Sequence, residues 1–180
     1  MLLQIPGILG AGELDALSRE LREAGFADGR GSAGLVAREV KNNLQLPLDA
    51  PAARKCAPLV LEALRRDSLF FSAPLPHRVH GPVLSRYAPG MTYGDHVDNA
   101  VTGGQVSVRT DVAATLFLTP PEQYDGGELV VQDNLGAHRV KLAAGSIIVY
   151  PSGSVHRVEP VTRGSRLAAI LWVQSMVRDA

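Results

Sequence analysis

The stretch Ser146-Ile147-Ile148-Val149-Tyr150-Pro151-Ser152-Gly153-Ser154-Val155-His156-Arg157-Val158 decides the fold. It holds an apolar run, Ser146–Tyr150, then a Pro-Ser-Gly-Ser turn, then a second run, Val155–Val158. β-Branched and aromatic residues in short runs between turn formers read as strands. The same texture extends outward on both sides, with strands expected near Val79–Tyr87, Thr92–Asp98, Asp111–Leu118, Glu128–Gln132, His138–Leu142 and Arg166–Gln174. Short strands broken by frequent turns predict a sandwich or barrel rather than βαβ units.

Upstream of Arg78 the pattern is helical. Leu14, Leu17 and Leu21 recur at spacings of three and four, with Glu13, Arg19, Glu20, Arg22 and Glu23 between them. This is an amphipathic helix that stops near Gly25. An apolar strand, Leu2–Ile5, precedes it, and Gly29–Gly34 reads as a turn. A second helix is expected over Pro51–Asp67, with Ala57, Val60, Leu61 and Leu64 on its inner face, ended by Pro74 and Pro76. The fold class is therefore mainly β with N-terminal helices packed on one side of a β core. Residues 1–180 read as one domain, in which 1–78 form a helical support region and 79–178 the core.

Eighteen basic residues balance eighteen acidic ones over 180 residues. That balance argues against nucleic acid or an anionic membrane as the main partner. The single cysteine, Cys56, excludes an intrachain disulfide and fits a reducing cytoplasm. It reads as a buried small apolar residue. Met1–Pro6 lacks the pattern of a signal peptide, and no apolar run approaches a membrane span.

Chemistry concentrates in Tyr93-Gly94-Asp95-His96-Val97-Asp98. Residues two apart on a strand share a face, so His96 and Asp98 could converge on one ion. His156 lies 58 residues beyond Asp98, enough chain for several strands out and back. Two imidazoles and a carboxylate on one face leave open positions, which suits non-haem Fe(II); zinc accepts the same ligands. His77, His80 and His138 lack this context and read as structural or exposed.

Pro160-Val161-Thr162-Arg163-Gly164-Ser165 reads as a hairpin that would return the chain beside the His156 strand. Arg166, Ala168, Ile170 and Trp172 would then share one face, and Arg166 could hold a carboxylate bidentately or form a surface ion pair. Arg157 and Arg163 read as surface ion pairs. The Tyr87 hydroxyl could donate to the same carboxylate, or Tyr87 could be core. Thr115 and Trp172 could line the pocket or simply pack.

The order His96-x-Asp98, Asp125-Gly126-Gly127-Glu128-Leu129, Tyr150-Pro151-Ser152, His156 and Arg166 resembles the Fe(II)/2-oxoglutarate-dependent dioxygenases of the prolyl/lysyl hydroxylase class. The similarity is greatest to bacterial PKHD-type hydroxylases associated with iron uptake. Val40-Lys41-Asn42-Asn43, Arg86-Tyr87, Arg109-Thr110-Asp111, Ala114–Leu118 and Trp172–Asp179 extend it over almost the whole chain. The resemblance implies a double-stranded β-helix (jelly-roll) core, Fe(II) at His96, Asp98 and His156, 2-oxoglutarate at Arg166, and L-ascorbate keeping the iron reduced. It also implies a further helical segment beyond Ala180 in relatives, and with it possible homo-oligomer contacts.

The expected reaction is hydroxylation of a small-molecule or peptidyl substrate by O2, with release of succinate and CO2. Asn99–Val108, with Gly103 and Gly104, reads as a lid over the substrate or as an ordinary flexible connection. Two rivals differ in chemistry: a non-catalytic jelly-roll module sensing iron or 2-oxoglutarate, and a cupin-like enzyme with another metal and no 2-oxo acid.

Overall fold

The structure is a computed structural model that describes residues 2–103 and 107–178. The expected lid lies partly outside the described residues, at 104–106. In chain order the helices are α1 (Ala11–Arg22), α2 (Leu35–Glu39), α3 (Pro51–Arg66) and α4 (Ser68–Ser72). The strands are β1 (Leu3–Ile5), β2 (Ala27–Asp28), β3 (Lys41–Asn42), β4 (Leu44–Gln45), β5 (Pro76–Tyr87), β6 (Thr92–His96), β7 (Val101–Thr102) and β8 (Val108–Arg109). They continue as β9 (Val112–Phe117), β10 (Tyr124–Gly126), β11 (Leu129–Asp133), β12 (Gly136–Val140), β13 (Ile147–Pro151), β14 (His156–Val158), β15 (Val161–Gly164) and β16 (Arg166–Ser175).

Two antiparallel sheets form the jelly roll. The larger runs β1-β13-β9-β16-β5-β4-β2, and the smaller β12-β11-β14-β6-β3. Alternation along the strands of the larger sheet divides its residues between two cores. Leu84, Leu116, Ile147, Val149, Ala169 and Leu171 pack against Leu17 and Leu21 of α1 and Cys56, Val60 and Leu64 of α3. Each fully buried Leu or Val side chain contributes about 1.5–3 kcal/mol of transfer free energy. On the other face Tyr87, Phe117, Ile148 and Tyr150 meet Leu129, Val131, Val140 and Val158 of the smaller sheet. The site sits at the end of this second, more polar core. Among the described residues no helix is long and apolar enough to cross a membrane.

Four local expectations are corrected. The buried stripe of α3 is Ala53, Cys56, Val60, Ala63 and Leu64, while Ala57 and Leu61 are half-buried at its edge. A short extra helix, α4, follows α3, started by the Asp67 carboxylate accepting from Phe70 N–H at 2.7 Å. Strand β6 ends at His96, so Asp98 lies just past it rather than within it. Finally, β16 does not return beside β14. It pairs with β5 and β9 in the larger sheet, while β14 pairs with β11 and β6 in the smaller. The intervening segment forms its own strand, β15, paired with β10, and carries the chain between the sheets.

Candidate active site

His96 and His156 are direct cross-strand partners on β6 and β14, which brings their rings to 4.2 Å between centroids. Asp98 joins them from the loop, its Oδ1 3.8 Å from His156 Nε2. One ligand atom from each of the three residues lies within 4.8 Å of the others, a group that could hold a metal ion. Backbone carbonyls fix the imidazoles: Gly94 O is 2.8 Å from His96 Nδ1, and Ser154 O is 3.0 Å from His156 Nδ1. A carbonyl only accepts, so each Nδ1 carries the proton and each Nε2 keeps its lone pair. Tyr93 stacks on His96 at 3.5 Å and limits its rotation.

The electrostatics suit a cation. Burial, followed by the neighbouring His156, pulls His96 down to about 3, so its imidazole is neutral at ordinary pH. Burial pushes the Asp98 carboxyl up, opposed first by His156 and then by the Trp172 indole and Lys41. Asp98 Oδ2 is buried without a hydrogen-bond partner. A buried, unpartnered carboxylate oxygen facing two imidazole lone pairs is costly unless a cation joins them.

Arg166 opens β16 directly opposite Tyr87 on β5. It is 1% exposed, which rejects the surface-ion-pair alternative. Its guanidinium lies 5.2 Å from the Tyr87 ring and 5.3 Å from the Phe117 ring. Arg166 Nε and Nη2 and the Tyr124 hydroxyl are all buried without partners. A guanidinium with unused donors in an aromatic cradle is a site that lacks its anion. Gly127 makes the cradle possible: at φ +67 its absent Cβ would lie 3.1 Å from Arg166 Cδ and 3.1 Å from Tyr124 Cε2. The glycine in the Asp125-Gly126-Gly127 turn leaves room for the arginine stem.

Triad and arginine open onto one cavity of about 340 Å³, whose walls include Tyr87, Thr115, Tyr150, Ile170 and Trp172. That volume falls in the usual range for small-molecule sites. Thus the structure brings His96, Asp98, His156, Arg166 and Tyr87 together. His77 is exposed, and His138 pairs with Asp133 at 3.0 Å. Arg157, half-buried, and exposed Arg163 form ion pairs with Asp95 and Asp125. His80 departs from expectation: it lines the cavity, tilted against its cross-strand partner Trp172 at 5.8 Å. Sharing a face with Trp172 was the missed signal.

Sequence reasoning also passed over Lys41, Asn43 and Tyr124. Lys41 and Asn43 stand in an Asn-rich polar stretch that gives no sign of burial. Tyr124 immediately precedes the Asp-Gly-Gly turn, the one cue to its place beside Arg166.

A jelly roll with a two-histidine, one-carboxylate cluster and a buried guanidinium behind it defines a metal-dependent oxygenase class. Sequence comparison narrows this. The profile of the 2OG-Fe(II) oxygenase superfamily matches residues 82–174. A PKHD-type hydroxylase of Xanthomonas axonopodis pv. citri is 52% identical over 100% of this chain and 81% of its own length. One of Hyphomonas neptunium is 54% identical over 99% of this chain and 80% of its own. The solved prolyl-4-hydroxylase of Pseudomonas putida shares the fold, with TM-score 0.69 at 23% identity, covering 98% of this chain and 93% of that one. The chain belongs to the 2OG-Fe(II) oxygenase superfamily, among the PKHD-type hydroxylases. It is a 2-oxoglutarate-dependent dioxygenase, an oxidoreductase that hydroxylates its substrate with release of succinate and CO2.

Proposed function

We propose that His96, Asp98 and His156 hold the ferrous ion and that Arg166, with Tyr87 beside it, holds the distal carboxylate of 2-oxoglutarate. The observation that carries this reading is the pairing of two unmet needs across one cavity. Asp98 Oδ2 lacks a cation, and Arg166 Nε and Nη2 lack an anion. When bound, iron and 2-oxoglutarate supply oxidative decarboxylation and insertion of oxygen into a C–H bond.

The chain's own residues orient and protect that chemistry. Gly94 and Ser154 carbonyls keep both Nδ1 protons in place, so both Nε2 atoms face inward. Arg166 fixes the cosubstrate from the far end of the cavity, and Phe117, Tyr87 and Gly127 hold the guanidinium there. Tyr150 and Trp172 line the cavity. Ascorbate as the reductant, a role in iron homeostasis and homo-oligomer formation rest on the family resemblance, and a cytoplasmic location rests on the single cysteine. A single-domain organisation, with 1–78 supporting a 79–178 core, rests on chain length and on the change from helical to strand texture after Arg78.

Anaerobic titration with Fe(II) and 2-oxoglutarate tests the assignment. A weak visible charge-transfer band should appear on chelation, vanish in His96→Ala, and need much more 2-oxoglutarate in Arg166→Met. A band of unchanged strength in both variants would overturn it.

A further inference from the structure

One wall of the cavity is left unused by metal and cosubstrate. Lys41 and Asn43 stand two residues apart where the chain leaves β3, and both line the cavity. Asn42 between them is exposed and donates to Gly90 O at 3.3 Å. Lys41 is 6% exposed. Its ammonium donates to Ser32 Oγ at 2.8 Å and lies 5.0 Å from the centroid of Tyr93, the ring stacked on His96. Among the described residues no carboxylate forms an ion pair with it. Asn43 is 3% exposed, and its amide makes no well-formed hydrogen bond, although the Tyr87 hydroxyl is near enough to feel it. Room is made for that amide: a Cβ at Gly29 would fall 2.0 Å from Asn43 Oδ1.

A buried ammonium satisfied by one neutral hydroxyl is a poor structural element. A buried amide short of well-formed hydrogen bonds is another. Both become sensible if a third party brings the acceptor. 2-Oxoglutarate is already provided for at Arg166, so the remaining candidate is the molecule to be hydroxylated. The approach is weakly basic: Arg30, Arg38 and Lys41 share an outer hollow with Glu39, and Arg30 is paired with Asp28, so cations there outnumber carboxylates by one. Leu48, Val97 and Trp172 add apolar lining.

We infer that Lys41 and Asn43 form a substrate subsite for a carboxylate, so that the substrate is an acid with an apolar body. This rests on the assignment of metal and cosubstrate above and deepens it. The ammonium takes the carboxylate as a charge-assisted pair, and the Asn43 amide supplies a further hydrogen bond. Together they position the acid's apolar part toward the triad. The carboxylate could belong to a free small molecule or to a Glu or Asp side chain of a peptide.

Protein loaded with Mn(II) and saturating 2-oxoglutarate tests this, because the Arg166 pocket is then filled and no turnover occurs. Calorimetry would compare 3-phenylpropionate with its amide, and Ac-Phe-Glu-NH2 with Ac-Phe-Gln-NH2. The acid of at least one pair should bind about tenfold or more tightly than its neutral twin. Which pair shows it identifies the source. The preference should disappear in Lys41→Met and persist in Lys41→Arg, while Asn43→Ala weakens both members of the pair. Melting of the ligand-free protein supplies a second readout: Lys41→Met should melt higher, whereas a structural lysine would make it melt lower.

Equal binding of acid and amide in both pairs, no measurable binding of either acid, or a preference that survives Lys41→Met would each overturn the inference. The first two use the wild-type protein and do not depend on a variant folding. Failure of the iron and cosubstrate assignment would show separately, as a missing chelate band with Fe(II).

Discussion

Strand β16 has two faces that obey opposite rules. Ala169, Leu171 and Val173 point to the helices, are 0% exposed, and have only apolar neighbours to satisfy. Arg166, Ile170 and Trp172 point between the sheets into the cavity, where Arg166 Nε and Nη2 are unpartnered. One face lowers the free energy of the folded chain; the other raises it and is held in place by the first. Buried polar groups that the fold leaves unsatisfied mark where a ligand completes it.

The largest expected effect separates the faces outright. Arg166→Met should weaken 2-oxoglutarate binding by about 2–5 kcal/mol, or roughly 30-fold to beyond 1,000-fold, since the cosubstrate carboxylate is left without its partner. Its ligand-free melting temperature should hold or rise, because a buried unpaired charge is removed. Titration and thermal melting check both halves; a melt well below wild type would break the contrast.

Leu171→Ala should do the reverse. A fully buried leucine between helix and sheet leaves a cavity costing about 2–5 kcal/mol in denaturant unfolding. The fraction that stays folded should bind 2-oxoglutarate nearly as well as wild type.

Lys41 extends the comparison to pH. Burial pulls its ammonium from 10.5 down to about 8. A lysine lowered on folding costs stability in full below its folded value, and that cost fades as pH climbs toward the unfolded value. The penalty near pH 7 is about 3 kcal/mol. Lys41→Met should therefore be more stable than wild type at pH 7, with the gap closing between about pH 8 and about pH 10.5. A constant gap across that range would remove the titration argument.

Gly127→Ala tests stability and binding together on the cavity face. A left-handed φ of +67 and a new methyl against Arg166 should cost about 1–3 kcal/mol and weaken 2-oxoglutarate binding as well. The smallest effect is at Cys56, on the apolar side. Its thiol is 0% exposed and burial pushes it up to about 11. Alkylating reagents at pH 8 should leave it untouched until the protein unfolds; rapid labelling of the native chain would show the helix layer to be loose.

Much of this was legible beforehand because it is written in local periodicity. The alternation along Arg166–Gln174 assigned Arg166 and Trp172 to one face without knowing what lay opposite. Helix α1 was readable from three leucines at helical spacing. His96 and Asp98 do lie together, for a reason that only half applies: His96 is on a strand, whereas Asp98 reaches the cluster from the loop beyond its end. Two-residue strands such as β3 and β4 escaped notice because two residues show no period.

Residue types and spacing by themselves determined the strand and helix texture, the candidate ligands and the arginine behind them. They did not determine partners. That β16 lies in the larger sheet, away from β14, depends on pairings with β5 and β9, strands far away in the chain. That Lys41 is buried in a cavity rather than exposed on a turn depends on Tyr93 and Ser32 closing around it. Short-range sterics and alternation act within a few residues and can be read along the chain, whereas burial is the sum of contacts between segments that meet only after folding.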